Sequence, residues 1–289
     1  MSRRRRKLAR RRRALLVNQD LRRVDLHMHS NLSDGLLAPL DVLQKCVTGG
    51  LDIISITDHD MIPSLRTGIY RIGEKTIRAI AGVEFSAQHI DKEIHILAYF
   101  GQEIPQEAIE LCHETLKNRV ERYDNMVDLL GLEGVEYAPP EARSGKLSVT
   151  RLHLAKAIVK AGHANTTGEV FSRWLGSHNK IEHFPTVQEL LARFKGLPVF
   201  CAWAHPRLED LHQWGKDFVS YGLDGVEALR ASKGKKYTQT IKEFARQNKI
   251  HVTGGSDHHG WGNPLGSFSF PAQEIRDWAC DLACIDSPQ

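Results

Sequence analysis

Histidines and acids of the metal-ligand type recur in short clusters along this chain, and nearly every cluster lies where an apolar run stops. The clusters are His27-Met28-His29, Asp34, Asp58-His59, Glu84, His95, Ala204-His205-Pro206 and Asp257-His258-His259. Imidazoles and carboxylates at the ends of strand-like segments can converge on one point and hold divalent metal. Each signal is weak alone. His27 and His29 are two apart, so a strand turns both to one face, yet most His-x-His pairs are ordinary core or surface histidines. Asp34 precedes Gly35 in a turn, where aspartate is common for structural reasons. Asp58-His59, Glu84 and Asp257 directly follow strands of the buried type, where a charge is a poor core residue unless it is paired or metal-bound. In the last cluster the period-two relation with Asp257 selects His259 over His258. It is the joint occurrence that resists a bland explanation.

The ligand types narrow the metal. No cysteine cluster accompanies the set, which argues against a structural zinc site. Mixed nitrogen and oxygen donors suit Mn²⁺, with Fe²⁺ or catalytic Zn²⁺ as the other fits. The donors exceed what one ion needs, so two or three adjacent ions sharing a carboxylate are expected. Such a cluster acidifies bound water and neutralises phosphoryl charge, and phosphate ester hydrolysis needs both.

A second constellation lies mid-chain. Arg151 and His153 fall in the first turn of a helix that Thr150 would cap. Free N–H groups, the helix dipole and a guanidinium fork favour an anion there. A surface arginine beside a first-turn histidine is the equally available alternative.

These residues need elements to position them. Strand-like runs occur at Val24–His29, Leu51–Thr57, Ala79–Glu84, Glu93–Tyr99, Leu197–Ala204, Gly225–Leu229 and Ile250–Gly255. Several are continuously apolar, as in strands covered on both faces. Helical patterns separate most of them, as at Pro39 to Val47, stopping at Gly49-Gly50, and at Lys235 to Lys249, with Tyr237, Ile241 and Phe244 on one face. Alternation of this kind predicts a parallel α/β barrel or sheet. The loop between Glu84 and His95 is too short for a parallel crossover, so a hairpin is expected to set them side by side. From about Glu103 to Lys195 the pattern turns helical. Ile109, Cys112, Leu116, Val120, Tyr123, Val127 and Leu130 make an amphipathic stripe ending at Gly131, and Thr186 with Glu189 reads as a capping box. The expected organisation is a basic tail (1–23), a first barrel part (24–102), a helical insertion capping the substrate (103–195) and a second barrel part (196–289).

The net charge of +4 is set by the tail, where Arg3 to Arg6, Lys7 and Arg10 to Arg13 carry nine positive charges and leave the remainder at −5. Too few apolar residues follow the arginines for a secretory signal. Residues 3–13 are either a solvated leader or an RNA-backbone contact. The five cysteines are scattered, and Cys280 and Cys284 read as free thiols on one helix rather than a bridge, so a cytoplasmic location is expected. No apolar stretch approaches a membrane span.

The motifs resemble the PHP family (polymerase and histidinol phosphatase) of metal-dependent phosphoesterases. The matching segments are Val-Asp-Leu-His-Met-His-Ser with Ser-Asp-Gly, Ile-Thr-Asp-His-Asp, Gly-Val-Glu-Phe-Ser, His-Ile-Leu-Ala-Tyr, Ala-His-Pro and Gly-Ser-Asp-His-His-Gly, in the family's order from residue 24 to residue 260. The resemblance implies a distorted (β/α)7 barrel. It implies His27, His29, Glu84 and Asp257 around one metal, Glu84 bridging to a second with His95 and His205, and Asp34, His59 and His259 around a third. Asp257, Glu84 and His205 form the catalytic centre in this reading, where a hydroxide bridging the metals attacks phosphorus in line. The segment from Thr150 to Gly162 is similar to the subgroup that dephosphorylates nucleoside 3′,5′-bisphosphates and includes RNase AM, which trims short RNA from the 5′ end. Trp174-Leu175-Gly176 with Lys180 is similar more weakly. Arg151, His153 and Arg207 would then grip substrate. The chain departs from that subgroup at Leu152, where proline is usual, and at Arg207-Leu208, where Gly-Arg-Tyr is common. A histidinol-phosphate phosphatase of the same family and an RNA-binding module using the tail are the rival expectations.

Overall fold

The computed structural model describes residues 22–176, 184–231 and 233–282. The run 3–13, His178, Lys180, His183 and Cys284 lie outside them. The chain opens with β1 (Arg23–Asp25) and α1 (Pro39–Thr48). Proline sits in the first turn of α1, where its missing N–H has no partner to lose, and Val42, Leu43, Cys46 and Val47 form the buried side. Next come β2 (Ile53–Ile54), β3 (Gly68–Ile72), β4 (Lys75–Ala79), β5 (Ala81–His89) and β6 (Lys92–Phe100). Helices take over with α2 (Gln106–Leu130), α3 (Pro140–Arg143), α4 (Arg151–Lys160), α5 (Thr167–Val170), a π-helical turn at Phe171–Leu175 and α6 (Val187–Phe194). Alternation resumes through β7 (Val199–Trp203), α7 (Leu208–Tyr221), β8 (Gly225–Arg230), α8 (Lys235–Asn248) and β9 (His251–Gly255). The described chain closes with β10 (Phe270–Pro271) and α9 (Arg276–Asp281).

The strands form two five-stranded sheets, ordered β10-β1-β2-β4-β3 and β5-β6-β7-β8-β9. β1, β2 and β4 run parallel, as do β7, β8 and β9. The expected barrel is therefore met as a mixed α/β fold, with no closed sheet among the described residues. Isolated bridges join the sheets instead, Met28 to His258 and His59 to Glu84. Beside these bridges the backbone takes an unusual turn. Asp60 and Asp257 have φ of 52° and 57°, a left-handed conformation that non-glycine residues seldom adopt and that bends the chain out of a strand.

The expected hairpin is present and longer than read from sequence. β5 and β6 pair antiparallel from Ala81–Phe100 to His89–Lys92, leaving only Ile90 and Asp91 in the turn. Glu84 is thus the fourth residue of its strand rather than the last. The hairpin of β3 and β4 and the short β10 escaped the apolar-run reading, because β3 alternates half-buried and exposed residues and β10 is two residues long.

Two apolar clusters fill the sheet interfaces, one around Val83, Phe85, Trp203 and Phe218, the other around Tyr99, Phe200 and Trp278. A third lies under α1. The helical region divides: Ala108, Leu111 and Cys112 of α2 and all four buried residues of α6 pack on the second sheet. The far end of α2 joins α4 and the π-turn around Met126, Leu154, Ile158 and Leu175 in a cluster of their own.

Candidate metal centre

Extended backbone beyond β1 positions the first two histidines. Residues 26–29 are held between neighbours: Leu26 N–H donates to Gly254 O (3.2 Å), His29 N–H to His258 O (2.9 Å) and Thr57 N–H to Met28 O (2.8 Å). Alternation then sends Met28 into the core under α1 and both imidazoles to the opposite side, their ring centroids 5.2 Å apart. Gly255 makes the packing against this segment feasible, since a Cβ there would lie 2.2 Å from His27 Cβ.

All nine expected ligands converge on one region. Glu84 is at its centre, with 0% exposure. Its Oε2 lies 3.1 Å from His27 Nε2, 3.2 Å from His29 Nε2 and 3.2 Å from His59 Nδ1. Its Oε1 lies 3.0 Å from His95 Nδ1 and 2.9 Å from His205 Nε2. Asp257 Oδ1 stands 3.5 Å from His27 Nε2 and 3.4 Å from His29 Nε2. On the other side, Asp34 faces His259 Nε2 at 3.3 Å, His59 Nε2 at 3.8 Å and His29 Nδ1 at 3.9 Å. His258 is not part of the set: its backbone carbonyl pairs with His29.

The donor set fits divalent cations by an observation independent of any likeness. His27 Nε2, both ring nitrogens of His29, Asp34 Oδ1, His59 Nδ1 and Glu84 Oε2 are buried without a hydrogen-bond partner. Buried polar atoms are ordinarily satisfied, and here the unsatisfied ones face one another. Three groups of donors lie within 4.8 Å of each other: His29, Asp34, His59 and His259; His27, His29 and Glu84; and His59, Glu84 and His95. Each group has donors placed to hold a divalent ion, and the groups overlap through His29, His59 and Glu84.

The same crowding sets the proton affinities. Burial opposes charge on His29 and His95, but Asp257 and Glu84 outweigh it at the first and Glu84 with Glu93 at the second, raising them to about 10 and about 9. Burial also resists ionisation of Glu84, yet His27, His59 and His95 hold it well below the usual carboxylate range. At His59 burial wins and the imidazole is pushed well down. Burial raises Asp25 to about 6 against the hydrogen bonds of Ser256 and His27.

Several residues support the ligands, and of these only Asp58 was singled out in the sequence. Glu227, fully buried, takes His27 Nδ1–H (3.0 Å), the His205 amide (2.7 Å) and Arg230 Nη1 (2.7 Å). Arg230 also donates to Asp257 at 3.1 Å. Asp58 accepts from the Ser30 amide and hydroxyl and from Ser33, fixing the loop before Asp34. Asp60 accepts from the Ser86 amide (2.8 Å) and Arg119 Nε (2.6 Å). Arg119 and Arg122 lie three apart on the buried side of α2, a pairing visible in the sequence had arginines been allowed on an apolar face.

Of the expected substrate residues, Arg151 lies beside this arginine pair. Arg119, Arg122, Thr150 and Arg151 line one pocket with Tyr123 and Leu154, and Glu93 joins Arg122 (3.1 Å), Arg151 (3.3 Å) and His95 Nε2 (3.4 Å). Thr150 caps α4 as expected, and His153 Nδ1 accepts the Thr150 amide at 3.1 Å to complete a capping box. Helix capping therefore occupies one nitrogen of His153. Arg207 behaves otherwise: its side chain is 71% exposed and pairs with Glu209 at 3.5 Å.

Comparison with known proteins agrees with this geometry. The family model for the PHP domain matches residues 25–197, and the chain belongs to that family. It is accordingly an enzyme, a phosphoric ester hydrolase. The chain is 28% identical over 255 residues to a 5′-3′ exoribonuclease of Haemophilus influenzae, covering 83% of this chain and 92% of the relative. It is 23% identical over 251 residues to a 3′,5′-nucleoside bisphosphate phosphatase of Chromobacterium violaceum, covering 83% and 88%. A solved structure from Bifidobacterium adolescentis, assigned as a metal-dependent phosphoesterase, superposes with a TM-score of 0.70 at 22% identity, covering 89% of this chain and 96% of that one. The last likeness speaks for the fold alone. Among the described residues no helix is long and apolar enough to cross a membrane.

Proposed function

We propose that this chain is a metal-dependent phosphoesterase that hydrolyses the phosphate of nucleoside 3′,5′-bisphosphates, of short 5′-phosphorylated oligoribonucleotides, or of both. The observation that carries the reading is the meeting of buried, unpartnered nitrogens and oxygens around Glu84 beside a pocket lined by three arginines. The two relatives named above support the substrate class, since both names describe nucleotide phosphate chemistry.

Two or three divalent ions, Mn²⁺ with Fe²⁺ or Zn²⁺ as the other fits, would be held by His27, His29, Glu84 and Asp257, by Glu84 with His95 and His205, and by Asp34, His59 and His259. Bound there, they would acidify water and draw charge from a phosphoryl oxygen. The chain's own residues do the rest. Glu227 keeps the proton of His27 on Nδ1, so Nε2 faces Glu84 and Asp257. Arg230 holds the outer oxygen of Asp257 and leaves Oδ1 toward His27 and His29. Arg151, 35% exposed and tethered by Glu93, orients substrate phosphate through its guanidinium, and Arg119 and Arg122 add positive field behind it. His153, whose Nδ1 serves the cap, adds its Nε2 at the same helix start.

The test is phosphate release from adenosine 3′,5′-bisphosphate and from a 5′-phosphorylated trinucleotide with Mn²⁺ added. Asp257→Asn is expected to abolish release while far-UV dichroism stays that of wild type. Full activity in that variant removes Asp257 from the reacting centre, and no release by wild type from either substrate overturns the proposal.

A further inference from the structure

We infer that a base-binding subsite flanks the metal centre, built on Trp261; the inference rests on the nucleotide reading above. A cavity of ≈ 280 Å³ adjoins the cluster, and Asp257 and His259 belong to both. Its other lining residues include Trp261, Asn263, Ser256 and Asp25. Trp261 is 49% exposed, unusual for so large an apolar side chain. Its indole lies against the His259 ring with centroids 5.3 Å apart and 22° between planes. The ammonium of Lys156, from α4, is 5.9 Å from the indole centroid. An indole fixed by a stacked imidazole and left half open is a platform for another flat ring.

The polar lining extends the match. Asp25, 1% exposed, and Ser256 add a buried carboxylate and a hydroxyl. Asn263 adds an amide that both donates and accepts. A nucleobase presents a flat face together with N–H donors and ring acceptors along its edge, the two features this cavity could meet. The arginine pocket and the Trp261 cavity share no lining residue, so phosphate and base would be held by separate groups. Trp261 is thus a binding residue for the base and touches no reacting atom.

The experiment compares kcat/KM for adenosine 3′,5′-bisphosphate with that for the same ribose bisphosphate lacking its base, in wild type, Trp261→Ala and Trp261→Phe. Stacking on one aromatic ring favours the base-bearing substrate by roughly 10- to 100-fold. Wild type is expected to show that preference, Trp261→Ala to lose it, and Trp261→Phe to keep part of it. A structural role through His259 would lower both substrates alike and leave the ratio intact, which overturns the inference, as does a wild-type ratio near one. If wild type releases phosphate from neither compound, the functional reading fails on its own account. Calorimetric binding of adenosine 5′-monophosphate against ribose 5-phosphate then decides the subsite: tighter binding of the former, lost in Trp261→Ala, supports it, and equal binding rejects it.

Discussion

Replacing Glu227 by glutamine probes the support of the centre without touching a candidate ligand. The carboxylate has three donors: Oε1 takes His27 Nδ1–H, and Oε2 takes both the His205 amide and Arg230. Glutamine keeps the shape but has only one acceptor oxygen. If its NH₂ replaces Oε2, it opposes two donors in a fully buried position, and each unsatisfied group costs about 1–3 kcal/mol. If it replaces Oε1, His27 must accept on Nδ1 and move its proton to Nε2, the nitrogen that faces Glu84. The second arrangement relieves more clashes, and it blocks His27 as a ligand. Loss of such a supporting partner typically weakens metal binding by about 10- to 100-fold, or about 1.4–2.8 kcal/mol. The assay is Mn²⁺ titration against a competing chelator, run beside thermal melts of the metal-free proteins. Weaker Mn²⁺ binding, with phosphate release recovering at high metal, is expected. Affinity within twofold of wild type, with a native-like melt, would refute the role given to Glu227.

Arg151→Ala is expected to lower kcat/KM by about 10- to 100-fold, since a hydrogen bond to a charged group contributes about 1.5–3 kcal/mol; steady-state kinetics unchanged from wild type would take Arg151 off the substrate. Gly255→Ala forces a Cβ to within 2.2 Å of His27 Cβ, and overpacking of this kind costs about 1–3 kcal/mol; a lower Tm and reduced metal content should appear together, and neither should change if the close approach is unimportant. Proton counting offers a fourth check. His29 at about 10 and His95 at about 9 both stand above the ordinary 6.5, so the metal-free protein holds their protons at pH 7.5. Mn²⁺ binding should then acidify a weakly buffered solution, because ligands must be deprotonated. By linkage these two groups stabilise the metal-free protein fully below pH 6.5, and that stability is lost as pH rises through 9 and 10. Melting temperatures that stay flat across that window would contradict the assigned surroundings.

Much of the centre was legible because strand periodicity and apolar-run endings are local signals. His27 and His29 share a face for the reason that strands alternate, and the shortness of the link after Glu84 was enough to require a hairpin. His259 over His258 followed from the same parity. What was not legible depended on long-range partners. Glu227 reads as an ordinary residue inside an apolar run, and only the fold brings His27, His205 and Arg230 to its two oxygens. Arg119 and Arg122 were hidden because the stripe along α2 was counted in apolar residues, whereas Asp60 and Glu93 let two arginines occupy that face. The α/β class was legible, but among the described residues the strands form two sheets joined by isolated bridges rather than one closed sheet. Arg207 entered the substrate set through the family resemblance; its side chain pairs with Glu209 at an exposed helix start.

Counting and locating bound Mn²⁺ tests the central claim most directly: elemental analysis of the purified protein joined to anomalous difference density from crystals grown with the metal. The account predicts two or three ions per chain, with Glu84 bridging two of them and His27, His29, Asp34, His59, His95, His205, Asp257 and His259 completing their shells. A metal-free protein after Mn²⁺ loading, or ions seated away from Glu84, would contradict it.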